Sequence, residues 1–571
     1  MTILPSGLWL AALVVVVFLG ALVAARGATL SPRDRAFFGA RRWLAAKIRR
    51  RFGGYVHPLV DVDESLPLRW DPAAGPAPRV AIVGAGLAGM GAACDLSERG
   101  LSVTLLDKNP YLGGKVGAWY ESAEDGTRLE VEHGFHAFFR HYYNLNRFLD
   151  RTGVRAHMKA IDDYLIVEKD GTEWRFADVE PSPVLNLIAL AKGGLYRFRD
   201  ILFTRALHEM DVFLAYDREQ VFDELDDVSY RAFAERAELP AKLRLVFNTF
   251  ARAFFSDDDR LSMAELIKSF HFYYLSHDEG LLYDYPAGDY QACVLGPIAR
   301  YMDERGVEVR LGAEVGAIEP LEGGGFEVDG ERFDHVVLAT SSVGARVIAT
   351  SSPKLKERAP RLVDSLAALR PSQRYAVWRL WVDRDVRDGL PVFVSTERRK
   401  VLDAVTLYHR ITPEARRYAR DGGAVLELHC YAVPDDLDEA QIREAFLHEL
   451  SHYFPELAGM EIAHEVLQVR QDFTAFHVGM ARDRPTTTTT VPGLYLAGDW
   501  VRLPCPAMLM EAAYTSGLLA SNAVLAEHGL QPQPVLTVPT RGLLYDVRQK
   551  KLAALGRRGG RESSLEPVPA R

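Results

Sequence analysis

Three histidines and five aromatic residues crowd the stretch Val131 to Leu145, which reads VEHGFHAFFRHYYNL. Imidazole nitrogens can bind a metal ion or move a proton, and aromatic rings can stack on nucleobases or enclose an apolar ligand. His133, His136 and His141 are separated by three and then five positions, so one face of a helix does not present all three. The spacing alone leaves a metal site, a nucleic-acid platform and an apolar pocket open.

Composition narrows these alternatives. The chain has 571 residues, of which 48% are hydrophobic and 25% charged, and its net charge is −9. This length predicts two or more domains, and the negative charge argues against a nucleic-acid binder. The cysteines lie far apart and form no CxxC pair, so we expect a reducing compartment, with neither a disulfide framework nor a zinc ribbon. They are Cys94, Cys293, Cys430 and Cys505.

A glycine-rich turn has the pattern of a dinucleotide-binding motif. Residues 79–107 read RVAIVGAGLAGMGAACDLSERGLSVTLLD. The pattern predicts a strand over 79–83, a helix over about 88–99 and a second strand over 102–106. Gly84 permits the tight turn, Gly86 lets a pyrophosphate approach the backbone, and Gly89 lets helix and strand pack closely. The amino end of the helix offers free N–H groups to the phosphates.

Further segments indicate FAD as the dinucleotide. Asp107 ends the second strand, where its carboxylate can accept hydrogen bonds from ribose hydroxyls. Leu112-Gly113-Gly114-Lys115 follows at once, where the chain must pass close to the cofactor. Residues 493–517, GLYLAGDWVRLPCPAMLMEAAYTSG, predict a strand, an acidic turn at Asp499 and a helix whose amino end, near Met508, would favour a reduced flavin. The cofactor-binding candidates are Gly84, Gly86, Leu87, Ala88, Gly89, Asp107, Lys108, Gly113, Gly114, Lys115, Val315, Gly498, Asp499, Met508 and Met510.

From about Arg79 to Glu527 the chain resembles the FAD-dependent amine-oxidase and carotenoid-desaturase superfamily. The likeness to ζ-carotene desaturase lies in VGAGLAGMGAACDL, DKNPYLGGKVGAW and EHGFHAFFRHYYNL. The likeness to the β-carotene desaturase/methylases, which are carotenoid aromatic-ring synthases of the isorenieratene synthase type, lies in RPTTTTTVPGLYLAGDWVRLPCPAMLMEAAYTSGLLASNAVL. The resemblance implies an α/β fold with a discontinuous Rossmann-type FAD-binding domain and a mixed α+β substrate domain.

The resemblance places the aromatic stretch beside the flavin ring and the substrate cavity. Its rings are then expected to line an apolar tunnel for a polyene, with ordinary core packing as the alternative. These residues are Phe135, Phe138, Phe139, Tyr142 and Tyr143. His133 and His136 would be polar groups near the flavin. Together with Glu511 they are the candidate catalytic residues that could take a proton from the substrate, and no metal site is expected.

The activity that the resemblance implies is FAD-dependent oxidation of a carotenoid. Hydride transfer from an allylic carbon to flavin N5 would desaturate the polyene, and a β-ring carotene is the expected substrate. In the aromatic-ring branch, hydride loss would trigger a 1,2-methyl shift. Membrane quinone or O₂ would accept the electrons. The alternatives are an acyclic carotene desaturase, a hydroxysqualene- or sterol-type isoprenoid oxidoreductase, an amine oxidase and a non-catalytic carotenoid-binding flavoprotein.

The amino terminus has the pattern of a transmembrane helix. Residues 7–25 read GLWLAALVVVVFLGALVAA, an uncharged run about long enough to span a bilayer. A signal peptide would need basic residues before this run, and the first one is Arg26. Basic residues crowd positions 26–51 and would stay cytoplasmic, against anionic membrane lipids. We therefore expect a single-pass protein of the cell inner membrane with a cytoplasmic catalytic body. A cleaved signal or a peripheral helix is the alternative.

These segments predict the division of the chain. A linker is indicated by the Pro, Gly and Ala content of residues 71–78, DPAAGPAP. The expected parts are a transmembrane anchor (1–26), a basic juxtamembrane segment and linker (27–78), an FAD-binding domain (79–149, 285–345 and 486–530), a substrate and membrane-facing domain (150–284 and 346–485) and a basic tail (531–571).

Overall fold

The computed structural model of the protein describes residues 56–123, 125–175, 211–277 and 279–554. The anchor expected over residues 1–26 and the basic stretch up to residue 55 lie outside the described residues, as do residues 555–571 of the tail expected over 531–571. No helix within the described ranges combines the length and the apolar character that crossing a bilayer requires.

The strands of the described residues are numbered in chain order. They are β1 (His57–Val60), β2 (Arg79–Val83), β3 (Ser102–Asp107), β4 (Ala118–Ser122), β5 (Arg128–Glu132), β6 (Phe138–Phe139), β7 (Met158–Ala160), β8 (Leu165–Val167), β9 (Glu173–Arg175), β10 (Tyr283–Pro286), β11 (Glu308–Leu311), β12 (Ile318–Pro320), β13 (Phe326–Val328), β14 (Glu331–Phe333), β15 (His335–Leu338), β16 (Tyr375–Val382), β17 (Phe393–Thr396), β18 (Ala404–Leu407), β19 (Ala424–Cys430), β20 (Ile462–Arg470), β21 (Leu494–Leu496) and β22 (Val535–Thr537).

The α-helices are numbered in the same way. They are α1 (Leu87–Glu98), α2 (Tyr143–Arg151), α3 (Asp211–Leu214), α4 (Arg218–Leu225), α5 (Tyr230–Arg236), α6 (Ala241–Arg252), α7 (Met263–Phe270), α8 (Gly296–Asp303), α9 (Ser342–Thr350), α10 (Pro353–Arg358), α11 (Pro360–Ala368), α12 (Pro413–Tyr418), α13 (Glu439–Tyr453), α14 (Leu509–Glu527) and α15 (Tyr545–Ala554). Two π-helical segments occupy His271–Leu275 and Gln291–Leu295.

A five-stranded parallel sheet carries the glycine turn. Its order is β11-β3-β2-β15-β21. Its inner strands are short, mainly apolar runs, such as RVAIV in β2 and HVVL in β15. Apart from the exposed Arg79 the residues of these two strands are buried, as in parallel sheets covered on both faces. The mixed α/β fold predicted from the sequence is therefore confirmed. The exact domain bounds stay a prediction.

Helices α1 and α14 pack against each other beside this sheet. Helix α1 reads LAGMGAACDLSE, and its residues from Leu87 to Leu96 are all buried. Small residues allow the two backbones to approach closely. A Cβ added to Gly517 of α14 would lie 2.2 Å from the carbonyl oxygen of Ala88, which excludes any side chain there. The glycine turn and the start of α14 are thereby brought to one region.

A seven-stranded sheet forms the second large body, with the order β20-β16-β19-β18-β17-β8-β9. Strand β16, which lies between β20 and β19, reads YAVWRLWV, and all eight of its residues are buried. Four of these residues, Ala376, Trp378, Leu380 and Val382, pack in a core that includes Ile442 and Phe446 of α13. Arg379 is the charged residue of β16, a guanidinium in the middle of a buried strand. Its partners lie at the site described next.

Candidate cofactor and substrate site

The glycine turn between β2 and α1 is shaped by the protein's own backbone at two positions. Gly84 has a φ of +111°, and a Cβ there would lie 2.6 Å from the carbonyl oxygen of Ala339. A Cβ on Gly89 would lie 1.8 Å from the carbonyl oxygen of Gly84. Both glycines are therefore needed by the fold, whether or not a ligand is bound.

Gly86 differs from these two glycines. It has extended backbone, with a φ of −76°, and the nearest described atom to a Cβ built on it is the Gly113 carbonyl oxygen at 4.0 Å. The space beside Gly86 could thus hold the methyl group of an alanine, yet the residue at this position is a glycine. Gly86 also precedes α1, which begins with Leu87 and Ala88 and has no side-chain cap among the described residues. Open space beside uncapped N–H groups fits a pyrophosphate.

Asp107 connects the glycine turn to the loop that follows β3. Its Oδ2 accepts a hydrogen bond from the Ala85 N–H at 2.7 Å, and its Oδ1 accepts one from the Asn109 N–H at 2.8 Å. Each carboxylate oxygen can accept a second hydrogen bond. The residue expected to bind ribose therefore also fixes the turn. The neighbouring Lys108 is exposed to solvent.

An ion pair joins the two cofactor motifs, which are far apart in the sequence. Lys115 Nζ lies 3.1 Å from Asp499 Oδ2, and the Asp499 side chain is largely buried. Thr474 Oγ1 donates to Asp499 Oδ1 at 2.8 Å, and the ammonium of Lys115 lies 4.7 Å from the centre of the Phe473 ring. The Gly113–Lys115 loop also meets the glycine turn, because Gly113 N–H donates to the Ala85 carbonyl at 2.9 Å.

The other cofactor candidates lie around the start of α14 and in the core. Gly498 donates its N–H to Ser516 Oγ at 2.7 Å, which fixes the acidic turn against α14. Met508 is buried and precedes α14, whose first turn contains the half-buried Met510. Val315 is buried in the core around the parallel sheet. Gly114 and its neighbour Gly113 have positive φ values. The cofactor role of each residue stays a prediction.

Two histidines of the aromatic stretch lie beside the Lys115 loop. The His136 ring contacts the Lys115 backbone, and its Nδ1 lies 2.7 Å from the Gly134 carbonyl oxygen. Burial lowers the pKa of His136 to about 4. Burial also holds the pKa of His133 well below its usual range, and the nearby charges of Arg470 and Lys115 add to this. Both imidazoles are therefore neutral at pH 7.

Glu511, the third catalytic candidate, holds helix α2. Its carboxylate accepts the backbone N–H groups of Asn144 and Leu145, each at 3.0 Å, together with the Asn144 Nδ2 amide at 2.9 Å. The first N–H groups of a helix have no partner within it, so Glu511 supplies the missing acceptor. These contacts give Glu511 a structural task, and its catalytic role stays a prediction.

We expect Glu511 to make the stability of the protein depend on pH. Burial raises the pKa of its carboxyl from the ordinary 4.5 to about 7. The folded protein then binds this proton more tightly than the unfolded chain does. The resulting contribution of Glu511 to the free energy of unfolding is complete below pH 4.5 and is lost as the pH rises to 7. The loss amounts to about 3 kcal/mol. The free energy of unfolding, measured with denaturant, should fall by this amount in wild type relative to Glu511→Gln as the pH rises from 4.5 to 7. A constant difference across that pH range would contradict it.

The aromatic substrate candidates divide into two groups. Phe138 and Tyr142 are fully buried in the main core, and Tyr142 shares a 2.6 Å hydroxyl–hydroxyl hydrogen bond with Tyr273. The half-buried rings are those of Phe135, Phe139 and Tyr143. The Tyr143 ring centre lies 5.2 Å from that of His277.

Phe135 and Phe139 belong to a continuous row of ring contacts, here called the aromatic row. It consists of Phe393, Phe135, Tyr283, Phe139 and Tyr273. The successive ring centres are 5.2, 6.2, 5.4 and 4.9 Å apart. Phe393, Phe135 and Phe139 are partly buried, whereas Tyr283 and Tyr273 are buried. The apolar surface available to a ligand therefore lies on the three phenylalanines.

The sequence reasoning missed a buried ion cluster behind this row. Arg379 contacts the carboxylates of Glu132 and Glu427, and all three side chains are at most 3% exposed. The available signal was one arginine within the apolar strand YAVWRLWV. A buried charge needs a partner, but local sequence did not say which carboxylates would provide it.

Comparisons with known proteins agree with this geometry. The profile of the flavin containing amine oxidoreductase family matches residues 87–525. A carotenoid phi-ring synthase of Streptomyces griseus is 37% identical, over 84% of this chain and 94% of the relative. A carotenoid phi-ring synthase of Chlorobaculum tepidum is 27% identical over 81% and 91%, and a zeta-carotene desaturase of Synechocystis sp. is 24% identical over 80% and 99%.

Solved structures show a similar fold. A wild-type putrescine oxidase bound to putrescine superposes with a TM-score of 0.57 at 17% identity, and the match covers 79% of this chain and 99% of the other. An oxidoreductase of Methanosarcina mazei gives a TM-score of 0.56 at 17% identity, with coverage of 77% and 99%. At this identity the likeness concerns the fold alone.

Proposed function

The chain belongs to the flavin containing amine oxidoreductase family and is an FAD-dependent oxidoreductase, and on that premise we propose that it desaturates a carotenoid, with a β-ring carotene as its substrate. Membership confirms the resemblance to the amine-oxidase and carotenoid-desaturase superfamily, and FAD as the cofactor. The substrate is proposed from the names of the phi-ring synthase and zeta-carotene desaturase relatives and from the aromatic row.

The aromatic row is the observation that carries this proposal. A polyene is long, apolar and flat, and the partly buried Phe393, Phe135 and Phe139 of this row offer it matching surface. Phe135, within this row, is next to His136, whose ring contacts the Lys115 loop. The row therefore leads toward the cofactor motifs. Stacked aromatic faces also favour positive charge in a ligand, and this would help a polyene that is losing a hydride.

The chain's own groups would position the substrate and receive its proton. Bound FAD supplies the acceptor for the hydride that leaves an allylic carbon. The rings of Phe135 and Phe139 would hold the polyene and exclude water. A neutral imidazole can accept the proton that the substrate loses, and His133 and His136 are both neutral by the pKa shifts given above. Lys115 and Asp499 would hold the cofactor loop and the acidic turn together.

Membrane attachment completes the proposal and rests on the sequence. Residues 1–26 would anchor the protein to the cell inner membrane as a single-pass helix, and the basic stretch after them would contact anionic lipids. The catalytic body would lie in the cytoplasm, and membrane quinone or O₂ would accept the electrons. Deleting residues 1–25 should weaken attachment of the protein to membranes. Unchanged sedimentation with membranes would count against the anchor.

The decisive experiment supplies β-carotene and lycopene separately to membranes that contain the protein. We expect conversion of β-carotene, with products identified by absorption spectrum and mass. A ring that has become aromatic would place the reaction in the methyl-shift branch. Conversion of lycopene alone would indicate an acyclic desaturase. Flavin reduction by amines or squalene-type alcohols, with neither carotene converted, would overturn the proposal.

A further inference from the structure

The segment Glu132–His136 lies between the cofactor motifs and the aromatic row. On one side the His136 ring contacts the backbone of Lys115. On the other side the Phe135 ring stacks on that of Phe393, with centres 5.2 Å apart. A small movement of this segment would therefore displace groups on both sides at once.

The backbone of this segment is held at several points, one of which is a buried carboxylate. The His136 N–H donates to the Tyr290 hydroxyl at 3.0 Å, and the Glu132 carbonyl accepts a hydrogen bond from Gln468 Nε2 at 2.7 Å. Glu427 of β19 accepts the Phe135 N–H through Oε1 at 2.9 Å. His429 Nε2 lies 3.2 Å from the same oxygen. Gly134, with a φ of +130°, lies directly against the sheet, because a Cβ on it would be 3.4 Å from Val377 and 3.5 Å from His429. The segment thus rests on the seven-stranded sheet at Glu427.

Arg379 in turn fixes Glu427. Arg379 and Glu427 face each other on paired strands, and Arg379 Nε and Nη2 lie 3.0 and 2.5 Å from Glu427 Oε2. Arg379 Nη2 also donates to Glu132, and its Nη1 donates to the Glu130 carbonyl at 2.8 Å. Both carboxylates therefore share one guanidinium. Burial opposes ionisation of Glu427, yet Arg379 and His429 lower the pKa of its carboxyl to about 2, so Oε1 is a charged acceptor.

Stability alone does not explain such a cluster. Moving two carboxylates and a guanidinium out of water costs energy that their attraction only partly returns, and apolar replacements of similar buried clusters are often as stable. What this cluster provides is a fixed acceptor for one backbone N–H. We propose that Glu427, clamped by Arg379, is a positioning residue that sets the place of the Glu132–His136 segment relative to the Lys115 loop and the aromatic row.

This proposal rests on the proposed function only where kcat is measured. The absorption spectrum and the reduction potential of bound FAD can be measured without substrate. Glu427→Gln is the first test. The charged Arg379 should attract the single amide oxygen, and the amide NH₂ would then face the Phe135 N–H, donor against donor. We expect FAD to stay bound, its visible absorption spectrum and reduction potential to shift, and kcat to fall about 10- to 100-fold, the size of effect produced by a misplacement near 1 Å.

A matched control comes from the same sheet region. Glu449 of α13 is 1% exposed and accepts backbone N–H groups from Lys400 and Val401 at 2.7 and 2.9 Å. Glu449→Gln makes the same chemical change to the same kind of buried carboxylate, outside the segment. It should lower the melting temperature while it leaves the flavin spectrum, the potential and kcat as in wild type.

A double variant distinguishes positioning from ion-pair stability. In Arg379→Met/Glu427→Gln the guanidinium is gone, so the amide oxygen can turn to the Phe135 N–H and the NH₂ group can donate to Glu132. We expect the spectrum and the potential to return toward those of wild type, with part of the turnover regained. Removing Arg379 also breaks its ion pair with Glu132, so a merely stabilising role of the cluster predicts a further loss in the double variant and no recovery.

Different results would overturn the positioning role of Glu427 and the proposed function. Equal changes in Glu427→Gln and Glu449→Gln, a wild-type spectrum and kcat in Glu427→Gln, or no recovery in the double variant would each overturn the positioning role. If Glu427→Gln does not fold, the double variant decides alone, by its spectrum compared with wild type. If the wild type converts no carotene, the proposed function fails, whereas the spectrum and potential still decide the role of Glu427.

Discussion

Gly86→Ala should give a folded protein that has lost most of its FAD. The backbone at Gly86 is extended and accepts an alanine, and the nearest described atom to the new methyl group is 4.0 Å away. The protein alone should therefore tolerate the change. The methyl group would occupy the space that a pyrophosphate needs beside the start of α1. A loss of about 1.4 kcal/mol or more in binding lowers the affinity at least tenfold.

The measurement is the FAD-to-protein ratio after gel filtration, combined with thermal unfolding of the apoprotein. Gly89→Ala serves as the contrast, because its Cβ would lie 1.8 Å from the Gly84 carbonyl oxygen. That variant should lower the stability of the apoprotein itself. A Gly86→Ala protein that keeps wild-type FAD content would show that the cofactor does not approach this residue.

Phe139→Asp should abolish carotene conversion while FAD stays bound. The Phe139 ring centre lies 4.9 Å from that of Tyr273 and 5.4 Å from that of Tyr283, within the aromatic row. An aspartate there would place a carboxylate against apolar surface. Excluding water from that carboxylate costs several kcal/mol unless it is protonated. A polyene that must lie along the row would bear this cost in every turnover.

Phe139→Leu is the matched control, since it shortens the side chain without adding charge. We expect it to retain substantial conversion, and both variants should show the wild-type flavin spectrum. Pigment analysis after incubation with β-carotene gives the result. Equal losses in the two variants would mean that Phe139 acts through core packing. Full activity in Phe139→Asp would remove this part of the row from the substrate path.

Local sequence pattern predicted the region around the glycine turn closely. The strand expected over 79–83, the helix over about 88–99 and the strand over 102–106 appear as β2, α1 and β3, with ends that differ by at most one residue. These elements depend on near neighbours, because apolar runs, glycine spacing and a helix start are all visible within thirty residues.

Partners that lie far apart in the chain could not be predicted in this way. The sequence makes Glu511 a candidate proton acceptor, but its contacts with Asn144 and Leu145 arise only when α14 meets α2. Arg379 and Glu132 are separated by 247 positions. The type of residue signals that a partner must exist, while the folded topology alone selects it.

The cofactor site is assembled from segments made at very different times during protein synthesis. β2 and β3 leave the ribosome early, whereas β21, the acidic turn with Asp499 and helix α14 emerge much later. At ~5–20 residues per second, the roughly 390 residues between β3 and β21 take on the order of 20–80 s to synthesise. During that interval Lys115 lacks its partner Asp499, and α1 lacks the cover of α14. Such non-local pairing also slows folding. A growing chain should therefore be unable to retain FAD until its last hundred residues have emerged, and its exposed apolar surfaces would meanwhile depend on chaperones.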